Sequence, residues 1–307
     1  MAQQLLVLGW HNVHPTFGFP ASPRRGERGL ASQLRTLARC ANVVDLGQAL
    51  TALEAGRELP PRAVALTFDD GYRDNHDLVA PMLRAAGLPA TFFLVPEFLS
   101  GTTDVWWERL GWAVARRSAT TLSWEGTTYR LPDQGTARRV AAVLAERLKA
   151  RTGVARAHAV EEVVERLRPV GPDPTRRLLM TWDQARSLVR QGFSVGSHTS
   201  RHDILSREPA GDQVEDLRSA RALLQDRLQV EASLLAYPNG RDVDYDDTSL
   251  AAVQAAGHTH AVTTVDGVNG PEVPRYEVRR TVVFPERGVP DLLKALLHSG
   301  RAPRPGR

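Results

Sequence analysis

Short apolar runs that alternate with helical stretches constrain this chain more than any other feature. The runs lie at residues 4–9, at AVALTF (63–68), PATFFLV (89–95), FSVGS (193–197) and LLAYP (234–238), with strand-like segments again at 260–265 and 277–284. Helical patterns fall between them at 30–39, 45–55, 75–86, 212–229, 249–256 and 290–298. Gly87 closes the third of these, and Thr181 with Gln184 forms a capping box for a further helix that ends near Gly192. Buried strands separated by crossover helices predict a parallel sheet, open or closed, in an α/β architecture.

Residues 101–176 interrupt this rhythm. Trp106, Trp107 and Trp112 share a predicted helix, TLSWEGTTYRL reads as a hairpin turning at Glu125–Gly126, and Arg- and Ala-rich helices follow at 136–151 and 157–168. We read this helical and hairpin segment as a central insertion, or lid, over one face of a catalytic domain spanning 1–300. Residues 301–307, RAPRPGR, read as a disordered tail.

The 307 residues are 42% hydrophobic and 24% charged, the balance of an ordinary globular protein. No apolar run is long enough to span a bilayer. MAQQLLVLGW lacks a basic leader and cleavage pattern, so it reads as a first strand, and a cytoplasmic location with room for peripheral membrane association is expected. The net charge is +4, carried by scattered arginines, with Lys149 and Lys294 the only lysines. That distribution does not suggest a nucleic-acid partner. Cys40 is the sole cysteine and reads as a partly buried bystander without a disulfide.

The chemistry concentrates in two segments. LTFDDGYRDN (66–75) places Asp69 and Asp70 at the end of a strand, where side chains in α/β barrels reach the functional face. GSHTSRHDIL (196–205) places His198 and His202 four residues apart, so that one helical turn would aim both imidazoles to one side. Alone, the first fits a solvated Asp-Gly turn and the second an ordinary packing pair. Together they supply two imidazoles and a carboxylate, a reasonable zinc set with open positions, and leave the second carboxylate as a base. The residues themselves do not say which aspartate does which.

TFDDG (67–71), HTSRH (198–202) and AYPNG (236–240), with PATFFLV, WWERL and AVTT in matching order, resemble the polysaccharide deacetylases with a NodB-type domain, carbohydrate esterase family 4. The likeness covers nearly all of residues 4–298. It implies a distorted (β/α)7 barrel that hydrolyses an N-acetyl group from an amino sugar or glycan precursor, releasing acetate. It also implies Asp69 as base and Asp70, His198 and His202 as ligands of one divalent metal. Zinc suits that donor set best, and cobalt, nickel or iron take related geometry. The expected substrates are an N-acetylated sugar, an oligosaccharide or a lipid-linked glycan precursor.

The likeness lapses at two places. Where many members carry arginine before the motif proline, this chain has Ala236 and Tyr237, and Arg279 or Arg280 would have to substitute; Arg280 is the favoured one. A late leucine-xx-histidine signature has no counterpart, since Ala295 stands where leucine belongs ahead of His298. His11 is the leading general acid, with His258 and His260 as alternatives. The Tyr72 backbone N–H is a candidate oxyanion donor. Tyr237, Trp106, Trp107 and Trp182 are candidates to stack on a sugar or simply to pack in the core; Pro238 shapes its loop. Arg201 would attract an anionic sugar or phosphate, or else pair with an acid. Competing functions are an amidase or deformylase acting on a nonsugar substrate and a noncatalytic carbohydrate-binding protein.

Overall fold

The computed structural model describes residues 4–19 and 25–298, with side chains to Leu296, so the tail at 301–307 and the His298 side chain lie outside the described residues. Seven parallel strands follow one another around a ring in the order β10-β1-β3-β4-β7-β8-β9. They are β1 (Leu5–Trp10), β3 (Ala63–Phe68), β4 (Thr91–Leu94), β7 (Ser194–Ser197), β8 (Leu234–Ala236), β9 (His260–Val262) and β10 (Thr281–Val282). A short β2 (Asn42–Val43) adds to the first half of β3, and β4 takes the second half of the same edge. This is the distorted (β/α)7 barrel.

The segment expected as one strand at 277–284 is broken. Only Thr281–Val282 pair with β1, while Val278 bridges Val262 and Arg280 N donates to Val265 O. This irregular seventh stave joins β9 to β1 and closes the ring, and its kink lets one side chain enter the interior.

Side chains alternate as the pleat demands. Along β1 and β3, Leu6, Leu8, Trp10, Val64, Leu66 and Phe68 face an outer core beneath α1 (Arg25–Cys40), α3 (Ala80–Ala86), α8 (Trp182–Arg190), α9 (Ala210–Leu228) and α11 (Gly288–His298). Leu5, Val7, Ala63 and Ala65 face the ring interior instead, where Phe93 and α2 (Leu46–Glu54) fill the base. α10 (Asp247–Ala255) packs against α9 on the outside. The expected Thr181–Gln184 box caps α8 and Gly87 ends α3 in the left-handed region, and Asp45 also caps α2. The helix expected from residue 75 opens with a wider π-type turn over Asn75–Val79. Cys40 is exposed rather than partly buried, because it sits in the last turn of α1 beyond its packed face.

Residues 101–176 build a second hydrophobic cluster. After α4 (Pro96–Ser100), α5 (Trp106–Arg116) packs on α6 (Gln134–Lys149) and α7 (Gly153–Leu167), and the hairpin β5 (Thr121–Trp124) and β6 (Thr127–Arg130) turns at Glu125–Gly126 with both residues at positive φ.

Gly196 faces the interior next to Phe93. A Cβ there would lie 2.5 Å from the Phe93 ring and 2.9 Å from the Leu234 carbonyl oxygen. Gly196→Val should therefore destabilise the barrel by about 1–3 kcal/mol through overpacking, read as a lower midpoint of urea unfolding. An unchanged midpoint would show that the interior is looser than this packing implies.

Candidate metal centre and active site

The site lies where the parallel strands end. Asp69 continues the inward track of Ala63, Ala65 and Thr67, so its carboxylate enters the ring. The backbone then turns left-handed at Asp70 (φ 72°) and Gly71 (φ 75°), which breaks the alternation and brings the second carboxylate into the same mouth. His198 directly follows β7, and its amide donates to Leu94 O.

The expected helical turn through His198 and His202 is absent. Thr199 and His202 adopt positive φ (63° and 60°), so the segment is a folded loop, and its kinks converge the two imidazoles. Neither residue is glycine or asparagine, so the conformation is held from outside. Asp216 on α9 accepts from Ser200 N, and Ser200 Oγ donates to the Asp216 carbonyl. Burial pushes the Asp216 carboxyl up to about 7.

Asp70 Oδ1 lies 3.4 Å from His198 Nε2 and 3.4 Å from His202 Nε2, and all three side chains are buried. His198 Nδ1 lies 2.7 Å from the Ala236 carbonyl, which sets the tautomer: Nδ1 carries the proton and the Nε2 lone pair faces the carboxylate. Two lone-pair donors and a carboxylate oxygen without a hydrogen-bond partner, all within 4.8 Å of one another, fit a divalent cation.

Asp69 stands beside this cluster in a different partnership. Arg280, fully buried, donates Nη1 to Oδ1 and Nη2 to Oδ2 at 2.7 Å each, Nη1 to Thr67 Oγ1 at 3.1 Å, and Nε to Thr263 O at 3.0 Å. Burial raises the Asp69 pKa, yet the guanidinium wins and holds it below the usual value. Gly9 makes room for the arm: a Cβ there would sit 3.1 Å from Arg280 Cδ. Arg279 points elsewhere and bonds Asp266 O.

His11, after β1, brings Nε2 to 3.9 Å from Asp69 Oδ2 and is partly exposed. Two residues absent from the sequence reading hold it there. Asn75 Nδ2 donates to His11 O, and Asp74 Oδ2 accepts from Val13 N and His14 N. Both lie in the RDN that follows DDGY, which was the available signal. His258 and His260 are at the opposite end of the barrel, since His260 begins β9 and pairs with Leu234 at the start of β8. They cannot serve this mouth.

Several residues weighed as substrate contacts sit in other settings, and Arg201 takes its alternative of pairing with an acid. Tyr237 is buried, stacked on Tyr245, with its hydroxyl donated to Tyr276 O, so it offers no face to a sugar. Pro238 is buried and shapes the loop only. Arg201 is tied to Asp203 and does not line the cavity. Trp182 bonds Ser100 Oγ away from the cavity. The Tyr72 side chain is buried, donating to Glu108 Oε1 and accepting from Trp107 Nε1. Glu108, in the WWERL helix, also accepts from Thr16 Oγ1 and Gly18 N, and burial raises its pKa.

Asn239, left-handed (φ 59°) and with an unpartnered Nδ2, lines the cavity at the metal cluster and was also missed. The insertion supplies much of the wall. Trp107 lies 4.6 Å from the His202 ring, and Arg156 of α7, stretched under Trp106, makes a buried ion pair with Asp203 next to His202.

Residues 56–261 match the family model for polysaccharide deacetylase. The chain belongs to the polysaccharide deacetylase family. The matched stretch holds the whole Asp-His-His cluster and Asp69, while His11 and Arg280 lie outside it. The Bacillus subtilis protein YxkH is 21% identical over 224 residues, which are 73% of this chain and 52% of that protein. The poly-beta-1,6-N-acetyl-D-glucosamine N-deacetylase of Escherichia coli K12 is 30% identical over 100 residues, 32% of this chain and 15% of that protein. The chain thus spans about half of the first of these curated relatives and 15% of the second. Among solved structures, the Streptococcus pyogenes deacetylase PplD in complex with acetate shares the fold at TM-score 0.64 and 16% identity, covering 96% of this chain and 99% of that one. IcaB from Ammonifex degensii does so at TM-score 0.60 and 20% identity, covering 96% and 97%.

Arg156→Met strands a buried carboxylate with only Arg201 for company. It should cost about 3 kcal/mol, the low end for a broken buried pair, and Asp203→Asn added to it should recover part of that loss in a double-mutant cycle. Strictly additive effects would mean that the pair does not couple.

Proposed function

We propose that this chain removes the acetyl group from an N-acetylated amino sugar by metal-dependent hydrolysis. The observation that carries the reading is the juxtaposition of two carboxylates in opposite electrostatic settings: Asp70 faces two histidine lone pairs, while Asp69 is gripped by Arg280. Family membership supports the reaction class, and the relative that acts on poly-beta-1,6-N-acetyl-D-glucosamine supports an amino-sugar substrate.

Asp70, His198 and His202 would hold the cation, zinc by the nature of the donors. A divalent cation there supplies Lewis acidity, lowering the pKa of coordinated water and polarising an amide carbonyl. Asp69 acts as the general base toward that water, and Arg280 keeps it ionised and fixes its oxygens. The Tyr72 backbone N–H, beside the ligand Asp70 in sequence, is assigned to the developing oxyanion. His11, the histidine at this mouth with a ring nitrogen near Asp69, donates the proton to the departing amine. The insertion 101–176 acts as a wall of the site.

Metal-stripped protein should release no acetate from N-acetylglucosamine oligosaccharides, and zinc should restore release. Asp69→Asn should lower kcat by about 10²–10⁴-fold while retaining zinc, whereas His198→Ala should lose the metal itself. A preference for formyl or nonsugar amides, or sugar binding without product, would sink the assignment.

The Asp69 pKa gives a second test. Its folded value is depressed, so the base stays ionised, and its contribution to stability is present above the unfolded pKa and is lost as pH falls through the folded one. Arg280→Met removes the strongest pull on the carboxyl and leaves burial, which pushes it up, opposed only by His198 and His11. The acid limb of kcat/KM should move to higher pH, and an unmoved limb would remove Arg280 from this role.

A further inference from the structure

A cavity of about 440 Å³ opens from the metal cluster, and Asp70, His202, His11 and Asn239 form its inner end. From there it runs along the insertion between α5 and α6. Trp106, Leu110 and Val114 line it from α5, Phe17 flanks it, and Ala141 and Ala145 line it from α6. The α5 stripe, Trp106, Leu110 and Val114 at four-residue spacing, is nearly buried and faces half-buried Ala141 and Ala145 on α6. Between Arg138 and Lys149, α6 offers this cavity nothing but alanine.

We propose that this trough binds a hydrocarbon chain carried by the amino sugar, so that the substrate is an N-acetyl amino sugar with an aliphatic aglycone. The inference rests on the reaction proposed above and names the substrate class for that site. Continuity decides the occupant: a trough whose inner end is the metal cluster is filled by whatever is joined to the reacting sugar. A polysaccharide continuing along it would lay hydroxyls against Leu110, Val114, Ala141 and Ala145, which have no side-chain donor or acceptor, and beyond the inner end it would find polar side chains only at Thr16, Gln134, Arg138 and Lys149. Aromatic rings line it too, at Phe17, Phe19, Trp106 and Trp107, but the wall that α5 and α6 add past them is Leu110, Val114, Ala141, Ala142 and Ala145. An alkyl chain needs no partners and gains from every methylene removed from water.

The test measures affinity directly, by calorimetry on zinc-loaded and zinc-free protein, for methyl, butyl and octyl glycosides of N-acetylglucosamine below their micelle concentrations. Each buried methylene should tighten binding about fourfold, and a chain burying a few of them on the order of a hundredfold. Ala141→Glu puts a carboxylate in the trough and Ala145→Phe fills it without charge; either should bring the octyl-to-methyl affinity ratio towards unity. Two variants of opposite character, each checked for folding by circular dichroism, guard against one that fails to fold. Affinity independent of chain length would overturn the proposal and hand the trough to an apolar segment of a protein partner. A chain-length effect that survives both variants would also overturn it, because the chain would then bind elsewhere. Acetate release is scored separately: binding that follows chain length with no release from any glycoside leaves the trough standing and defeats the deacetylase reading.

Discussion

A carboxylate buried in a barrel interior stays charged only if a counter-charge reaches it, and Arg280 is that counter-charge for Asp69. The rest of the site is arranged around this pair. Gly9 is small so that the arginine can pass, Thr67 and the Thr263 carbonyl take its remaining donors, and the break in the last strand lets it turn inward. Desolvation of such a pair is costly, so geometry and full hydrogen bonding are what make it tolerable. Two aspartates adjacent in sequence thereby do different work. One is held ionised by a guanidinium and the other faces lone pairs that call for a cation.

The second structural dependence is between the barrel and its insertion. Glu108 reaches from α5 to the Tyr72 hydroxyl and the Thr16–Gly18 loop, while Arg156 reaches from α7 to Asp203. Both contacts land within a few residues of a metal ligand. The insertion therefore braces the loops that carry the chemistry as well as walling the cavity.

The alternation of apolar runs and helices was enough to read the parallel α/β barrel, because crossover connections leave a periodic trace in sequence. The candidate metal ligands were legible for a local reason: each sits in a short segment just after a strand. Other features depend on contacts that no local pattern carries. Arg280 and Asp69 are 211 positions apart, and only the direction of the side chain separates Arg280 from Arg279. Tyr237 read as a sugar platform because burial is a property of the whole fold. The His198–His202 spacing suggested a helix since four-residue spacing is helical by default. Left-handed turns at Thr199 and His202, imposed by the Asp216 support, reach the same convergence by another path.

The irregular seventh stave has a consequence for assembly. The ligand cluster needs the chain as far as Ala236, whose carbonyl holds His198, but the arginine beside Asp69 arrives only with the segment that closes the ring. Without that segment Asp70, His198 and His202 would all be present, while Asp69 would lack its guanidinium and keep only the weaker pull of His198 and His11 against burial. Ring closure and the setting of Asp69 are thus one event: the segment that joins β9 to β1 is the same one that delivers the guanidinium.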